Sequence, residues 1–323
     1  MKAWLLDRQE GLGALRMEAN ATDPVPKSDE VILQVRYAAL NPADRYLAEK
    51  QYPARPALPH VLGRDGVGII ASESSLPGAQ FAILRGDVGV ESWGTFAEKV
   101  VVSSEYLVPV PKGWSDQAAV GAPLVYLTAY QAITQWGPLP KGAVLVTGAS
   151  GGVGVATIHL ARAFGMPVVG LSRGDAKRTA LLEQGAAFVA DPENPSWHRE
   201  VKEFLGDTPV ELCVENIGGE NFSRVVDVMG YNGKISVVGR LAGPVPNFNT
   251  ASLLFRRLRM GGVAVGTYGA AEARKSWDHI VRLLNNTGAR PLVDSVFPFA
   301  QLPKAFARLA EGPLGKVLLD IRT

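Results

Sequence analysis

From the N-terminus, the chain sets short apolar or β-branched runs between Pro, Gly, Ser and Asp. Ala3 to Leu6, Val31 to Val35, Gly66 to Ala71, Phe81 to Leu84 and Ala97 to Val102 each predict a strand. From about Pro123 the pattern changes, and strand-like runs alternate with helical ones. Val168 to Leu171, Val210 to Val214 and Lys234 to Val238 predict strands. Lys177 to Gln184, stopped by Gly185, and Phe222 to Met229 predict helices. Such alternation implies a parallel sheet covered on both faces. The tail predicts a helix from Trp277 to Leu284 and a last strand from Lys316 to Leu319.

One segment combines both patterns. Ala143-Val144-Leu145-Val146 is an apolar run, Thr147-Gly148-Ala149-Ser150-Gly151-Gly152-Val153-Gly154 a glycine-rich turn, and Val155 to Phe164 a helical pattern. The turn reads as Ala149-x-Gly151-x-x-Gly154, a dinucleotide fingerprint with alanine at its first glycine. Backbone N–H groups there can approach a pyrophosphate, and the helix start adds a favourable dipole. Ala149, Ser150, Gly151, Gly152, Val153 and Gly154 are therefore candidate cofactor residues.

Composition narrows the class. A length of 323 residues suggests about two domains. The formal net charge is only +2 and no basic stripe occurs, so nucleic acid is not an expected partner. The apolar start Met1 to Leu6 meets Asp7 and Arg8 before a secretory core forms, and no run is long enough to span a bilayer. Cys213 is the only cysteine, which excludes an internal disulfide and suggests a reduced, cytoplasmic setting.

Several further blocks stand in a fixed order: Leu40 to Tyr46, Leu62 to Gly68, Gly94 to Glu98, Leu127 to Tyr130, Asn216 to Gly219 and Gly315 to Val317. With Gly148 to Gly154, they give almost the whole chain a resemblance to the medium-chain dehydrogenase/reductase superfamily. Within it the chain resembles the zinc-independent quinone oxidoreductase branch. The resemblance implies an α/β protein: a GroES-like β-rich catalytic domain from residues 1–122 and 265–323, and a Rossmann doubly wound parallel sheet from 123–264. It also implies a homodimer, with Gly261 to Gly266 as the edge strand that pairs between copies. The segment Ala71 to Gln80 is shorter than usual and lacks the family's Gly-x-Gly-Val turn.

Zinc members of the superfamily carry a cysteine in the first block and a His-Glu pair after the glycine of the second. Here the first block reads Ala38-Ala39-Leu40-Asn41, and Arg64 and Asp65 follow Gly63. A cation thus replaces the ligand histidine, and no metal is expected. The second nucleotide strand ends in Ser172-Arg173, with Lys177 one turn further on. A hydroxyl with two cations suits the 2′-phosphate of NADPH, whereas an NAD site wants an acid at the strand end. Asp175, the nearby acid, falls late, in the turn.

Without metal, the natural chemistry is hydride transfer to a polarised double bond, with donors for the growing oxyanion and a proton to follow. Quinones and α,β-unsaturated carbonyls fit this small-molecule substrate class. An enoyl-thioester reductase and a non-catalytic, crystallin-like NADPH-binding protein are the alternatives. By resemblance Asn41 sits near the nicotinamide ribose, while Asn41-Pro42-Ala43-Asp44 also reads as a helix cap. Tyr52 stands where related enoyl-thioester reductases have a proton-donating tyrosine, or it packs on its loop; Tyr46 packs on the helix. By resemblance Thr128 contacts the nicotinamide, or else bonds back to its own helix. Asn216, Gly239 and Arg240 end strands where ligands of doubly wound folds gather, and Arg240 either binds phosphate or pairs with a surface acid.

Overall fold

The computed structural model describes residues 1–70, 79–243 and 248–323. The shortened segment noted above falls largely at 71–78, outside the described residues. The chain divides into two compact units. The first comprises Met1–Leu124, Tyr268–Trp277 and Arg290–Thr323, and the second Val125–Thr267 and Asp278–Ala289. The second unit thus takes in residues 278–289 as well as Val125–Thr267. Among the described residues no helix is long and apolar enough to cross a membrane.

In the second unit six parallel strands run in the order Phe188–Ala190, Val168–Leu171, Ala143–Val146, Val210–Glu215, Met229–Val237 and Arg259–Gly262. Numbered along the chain this is 3-2-1-4-5-6, the doubly wound order whose switch point lies beside the first strand. Ala143–Val146 and Val168–Leu171 are buried at every residue, as strands covered on both faces must be. Arg259–Gly262 pairs on one side only and forms the edge. It is shorter than the expected Gly261 to Gly266, because Val265–Thr267 turns as a 3-10 helix.

The first unit is β-rich. One sheet orders Val293–Pro298, Lys316–Asp320, Glu30–Ala39, Asp65–Ile70, Gln80–Ile83 and Leu107–Pro109, with Lys99–Ser103 also on Glu30–Ala39. A second joins Leu15–Glu18, Ala3–Leu6 and His60–Val61. Leu6, Leu33, Leu62, Phe96, Phe299 and Val317 anchor one core that draws on both chain ends. The ladder sets Ala39 opposite Asp65 on one side and Leu318 on the other. That register gathers the ends of three distant segments at one point.

Candidate functional site

At that point the first unit buries three charges, Asp44, Asp65 and Lys316, with the Arg64 guanidinium beside them. Lys316, 4% exposed, directs its ammonium at Leu40 O (3.0 Å), Asn41 Oδ1 (2.7 Å) and Asp65 Oδ2 (3.1 Å). Asn41 returns an Nδ2 hydrogen bond to the same Asp65 oxygen at 3.0 Å. Asn41 is the N-cap of Pro42–Ala48, and its backbone N–H donates to Asp44 Oδ2 at 2.8 Å. The expected cap is therefore present, while the Asn41 amide faces inward and is committed at both ends.

Asp44 carries the network onward. Its Oδ1 lies 3.6 Å from Arg64 Nε, and Arg64 Nη1 donates to the Tyr52 hydroxyl at 3.1 Å. The guanidinium also lies over the Tyr52 ring, 4.3 Å from its centroid. Asn41 and Tyr52, separate in sequence, are thus joined through Asp44 and Arg64. Burial pushes the Asp44 carboxyl up to about 6 despite Arg64, because desolvation outweighs the nearby cation. Gly63, at φ 100, and Gly94 let the segment beneath this cluster pack closely, since a Cβ on Gly63 would lie 2.5 Å from Thr95 Oγ1. Thr95 Oγ1 in turn donates to the Asp65 carbonyl at 2.8 Å.

A zinc ion does not fit this donor set. The Asp65 carboxylate is already paired with an ammonium, and a dication there would face the charge of Lys316 at contact distance. Among the described residues no group of three His, Cys, Asp or Glu side chains could hold a metal.

In the second unit the strand Ala143–Val146 leads into the glycine turn. The positive φ belongs to Gly148 (59°), one residue before the alanine of the fingerprint, so Gly148 makes the tight turn that the motif assigns to its first glycine. Ala149 is fully buried and gives its N–H to Leu171 O, and Gly151 gives its N–H to Gly148 O. Both therefore shape the loop and are not its anion donors. Gly152, Val153 and Gly154 open the helix Gly152–Ala163, where first-turn N–H groups lack intrahelical acceptors. A Cβ on Gly154 would sit 2.5 Å from the carbonyl oxygens of Gly148 and Ala149, so only glycine lets helix and loop pack. This cradle fits a pyrophosphate.

Ser172 is buried at the end of Val168–Leu171, and Arg173 is exposed, 3.6 Å from Glu193. Lys177 lies half-buried on Asp175–Glu183. Arg178, passed over in the sequence, pairs with Asp175 and with Asp191 Oδ2 at 2.8 Å. Asn216 spends its Nδ2 on Thr147 O (2.8 Å) and its N–H on Thr147 Oγ1 (2.9 Å), fastening two strand ends. A Cβ on Gly239 would meet Asn216 O at 2.6 Å, so it too is a close-approach glycine; Arg240 is exposed beside it. Thr128 is half-buried on Pro123–Thr134.

Glu215, also missed, is 1% exposed. Its Oε1 accepts from Thr147 Oγ1 (3.0 Å), Ile217 N (2.8 Å) and Gly218 N (2.7 Å). Burial raises this carboxyl, and those donors pull it back down. The sequence hides it, because one acid in an apolar strand carries no periodic signal.

A glycine turn on the first strand of a doubly wound sheet, joined in one chain to a β-rich unit, defines a dinucleotide-dependent enzyme. The family model described as alcohol dehydrogenase GroES-like domain matches residues 27–112, and that described as zinc-binding dehydrogenase matches 152–286. The quinone oxidoreductase of Mus musculus is 28% identical over 319 residues, 96% of this chain and 94% of that protein. An NAD-dependent alcohol dehydrogenase structure superposes with a TM-score of 0.89 at 27% identity, covering 99% of this chain and 100% of that one. The quinone oxidoreductase of Thermus thermophilus, solved alone and with NADPH, gives 0.82 at 28% over 99% and 100%. The chain belongs to the medium-chain dehydrogenase/reductase superfamily. It is an oxidoreductase of that family, and its curated relatives include quinone oxidoreductases and an acryloyl-coenzyme A reductase of Sulfurisphaera tokodaii, 28% identical over 326 residues, 92% of this chain and 94% of that protein.

Proposed function

We propose that the protein is an NADPH-dependent, zinc-independent reductase of quinones or α,β-unsaturated carbonyls, working as a cytoplasmic homodimer. The observation that carries this reading is the buried Lys316 ammonium between Asn41 and Asp65. Fixed side-chain charge occupies the segment where a zinc relative would hold its ion, so proton chemistry falls to side chains. The cofactor, once bound, supplies the hydride. Gly152, Val153 and Gly154 present N–H groups to its pyrophosphate, Ser150 adds a hydroxyl, and Thr128 holds the carboxamide. Ser172, Arg173 and Lys177 take the 2′-phosphate. Asn216, Gly239 and Arg240 close the strand-end side, with Ala149 and Gly151 as scaffold. Tyr52 donates the proton that the reduced substrate oxygen needs, and Asn41 anchors the helix before it.

The test is spectrophotometric oxidation of NADPH and of NADH against one quinone and one enoyl-CoA. Rapid NADPH oxidation with the quinone supports the reading. Preference for the enoyl-CoA moves it to thioester reduction, and absence of turnover with intact NADPH binding refutes an enzymatic role. The edge strand Arg259–Gly262 supports pairing between two copies; a monomer mass in light scattering would overturn that part.

A further inference from the structure

Arg64 enters the sequence only as a residue that is not a zinc ligand, yet it contacts the one hydroxyl on which the proposed chemistry depends. Its Nη1 lies 3.1 Å from Tyr52 Oη. A guanidinium has donors and no acceptor, so the direction of this bond is settled by chemistry: Arg64 donates and Tyr52 accepts. The phenol's own hydrogen is consequently turned away from Arg64 and must be given to some other acceptor. The guanidinium plane covers the ring at 4.3 Å, which fixes the ring as well as the oxygen. Arg64 is itself held: its side chain is 12% exposed, and Asp44, fully buried, sits 3.6 Å from its Nε. Asp44 is fixed by the Asn41 N–H. Asp65 and Lys316 are the other charges facing Asp44; at the Tyr52 loop, Arg55 donates to the Tyr52 carbonyl, and Lys50 lies exposed two residues before Tyr52.

We propose that Arg64 is the positioning residue for proton donation by Tyr52, aiming the phenol O–H at the substrate oxygen and stabilising the phenolate that remains. This rests on the reading of Tyr52 as the donor. When the electron pair has moved onto the substrate's carbonyl oxygen, the Tyr52 O–H bond breaks and a substrate O–H bond forms. The negative charge passes to Tyr52 Oη, already hydrogen-bonded to Arg64, and water then returns the proton. A charge-assisted hydrogen bond strengthens as its acceptor becomes anionic, so the contact acts more on the reacting state than on the resting one.

The test is a double-mutant cycle on the full chain with 1,4-naphthoquinone and NADPH. Arg64→Met is expected to lower kcat about 10- to 100-fold, the range of one charge-assisted hydrogen bond. The NADPH dissociation constant, read by tryptophan quenching, should stay unchanged. In the Tyr52→Phe background the same substitution should cost nothing further. Arg64→Lys, which keeps the cation and loses the fork, should recover part of the rate, and it replaces the Met variant in the cycle if that variant does not fold. Equal losses in the two backgrounds would overturn the proposal and leave Tyr52 as donor. An unchanged kcat in Tyr52→Phe would instead overturn the donor reading itself, and the proposal with it.

Discussion

Lys316→Met is the most direct perturbation of the buried cluster. The ammonium has three hydrogens, and all three are used, on Leu40 O, Asn41 Oδ1 and Asp65 Oδ2. Methionine fills much of the same stem, so the loss is electrostatic more than steric. It leaves Asp65, 2% exposed, as a buried carboxylate whose remaining side-chain partner is the Asn41 amide. Removing one member of a buried pair costs about 3–5 kcal/mol, a large part of the roughly 5–15 kcal/mol that holds a domain folded. Urea unfolding followed by tryptophan fluorescence measures it, with Trp4 and Trp114 reporting the first unit. The two units call for separate transitions in the fit. Lys316→Met combined with Asp65→Asn removes the orphaned charge and keeps an acceptor for Asn41, so it should regain more than half of the loss. A single-variant loss below about 1 kcal/mol, the scale of an exposed pair, would refute the reasoning. A double variant no more stable than the single one would do the same.

Three further outcomes follow from the geometry. Gly170→Ala would place a Cβ 3.0 Å from the buried Ala149 Cβ, pushing the glycine turn outward; about a tenfold weaker NADPH affinity is expected from about 1–3 kcal/mol of overpacking, with Ala149→Gly restoring it, and an unchanged affinity counts against it. Arg173→Ala with Lys177→Ala should weaken NADPH at least about tenfold more than NADH in fluorescence titrations, since each charge-assisted bond to the 2′-phosphate is worth about 1.5–3 kcal/mol. Equal losses would remove the phosphate argument. Burial lowers the His60 imidazole from 6.5 to about 4, so between those pH values the unfolded chain binds a proton that the folded chain refuses. Stability should therefore fall as pH drops through that window, by up to about 3 kcal/mol, and His60→Asn should flatten the curve; parallel curves for the two proteins would show the charge is not excluded.

Local chemistry explains which parts of this architecture the sequence reveals. Ala143–Val146 is apolar at every position because it is covered on both faces, and the glycines behind it answer to close approaches within a few residues. Elements whose limits depend on distant partners were less legible. Glu30–Ala39 runs four residues past the expected Val35 because Asp65–Ile70 and Lys316–Asp320 both pair with its end. Met229–Val237 begins at the expected helix end, since its ladder on Val210–Glu215 absorbs Tyr231-Asn232-Gly233 at a register shift.

The site divides in the same way. A nucleotide loop is written in consecutive residues, but the Lys316–Asp65 contact joins positions 251 residues apart, and no periodicity encodes it. Asp44 shows why even a correct local reading was incomplete. It is the cap acid that the spacing Asn41 to Asp44 predicts, and one of its oxygens does that work. The other oxygen faces Arg64, and through Arg64 the helix cap reaches the Tyr52 hydroxyl. A capping residue is ordinarily satisfied by its helix; a second, largely enclosed cationic neighbour raises the cost of moving it. Burial of the pair thereby ties the start of Pro42–Ala48 to the orientation of a phenol on the following loop, so a substitution at Asp44 should register in turnover as well as in stability.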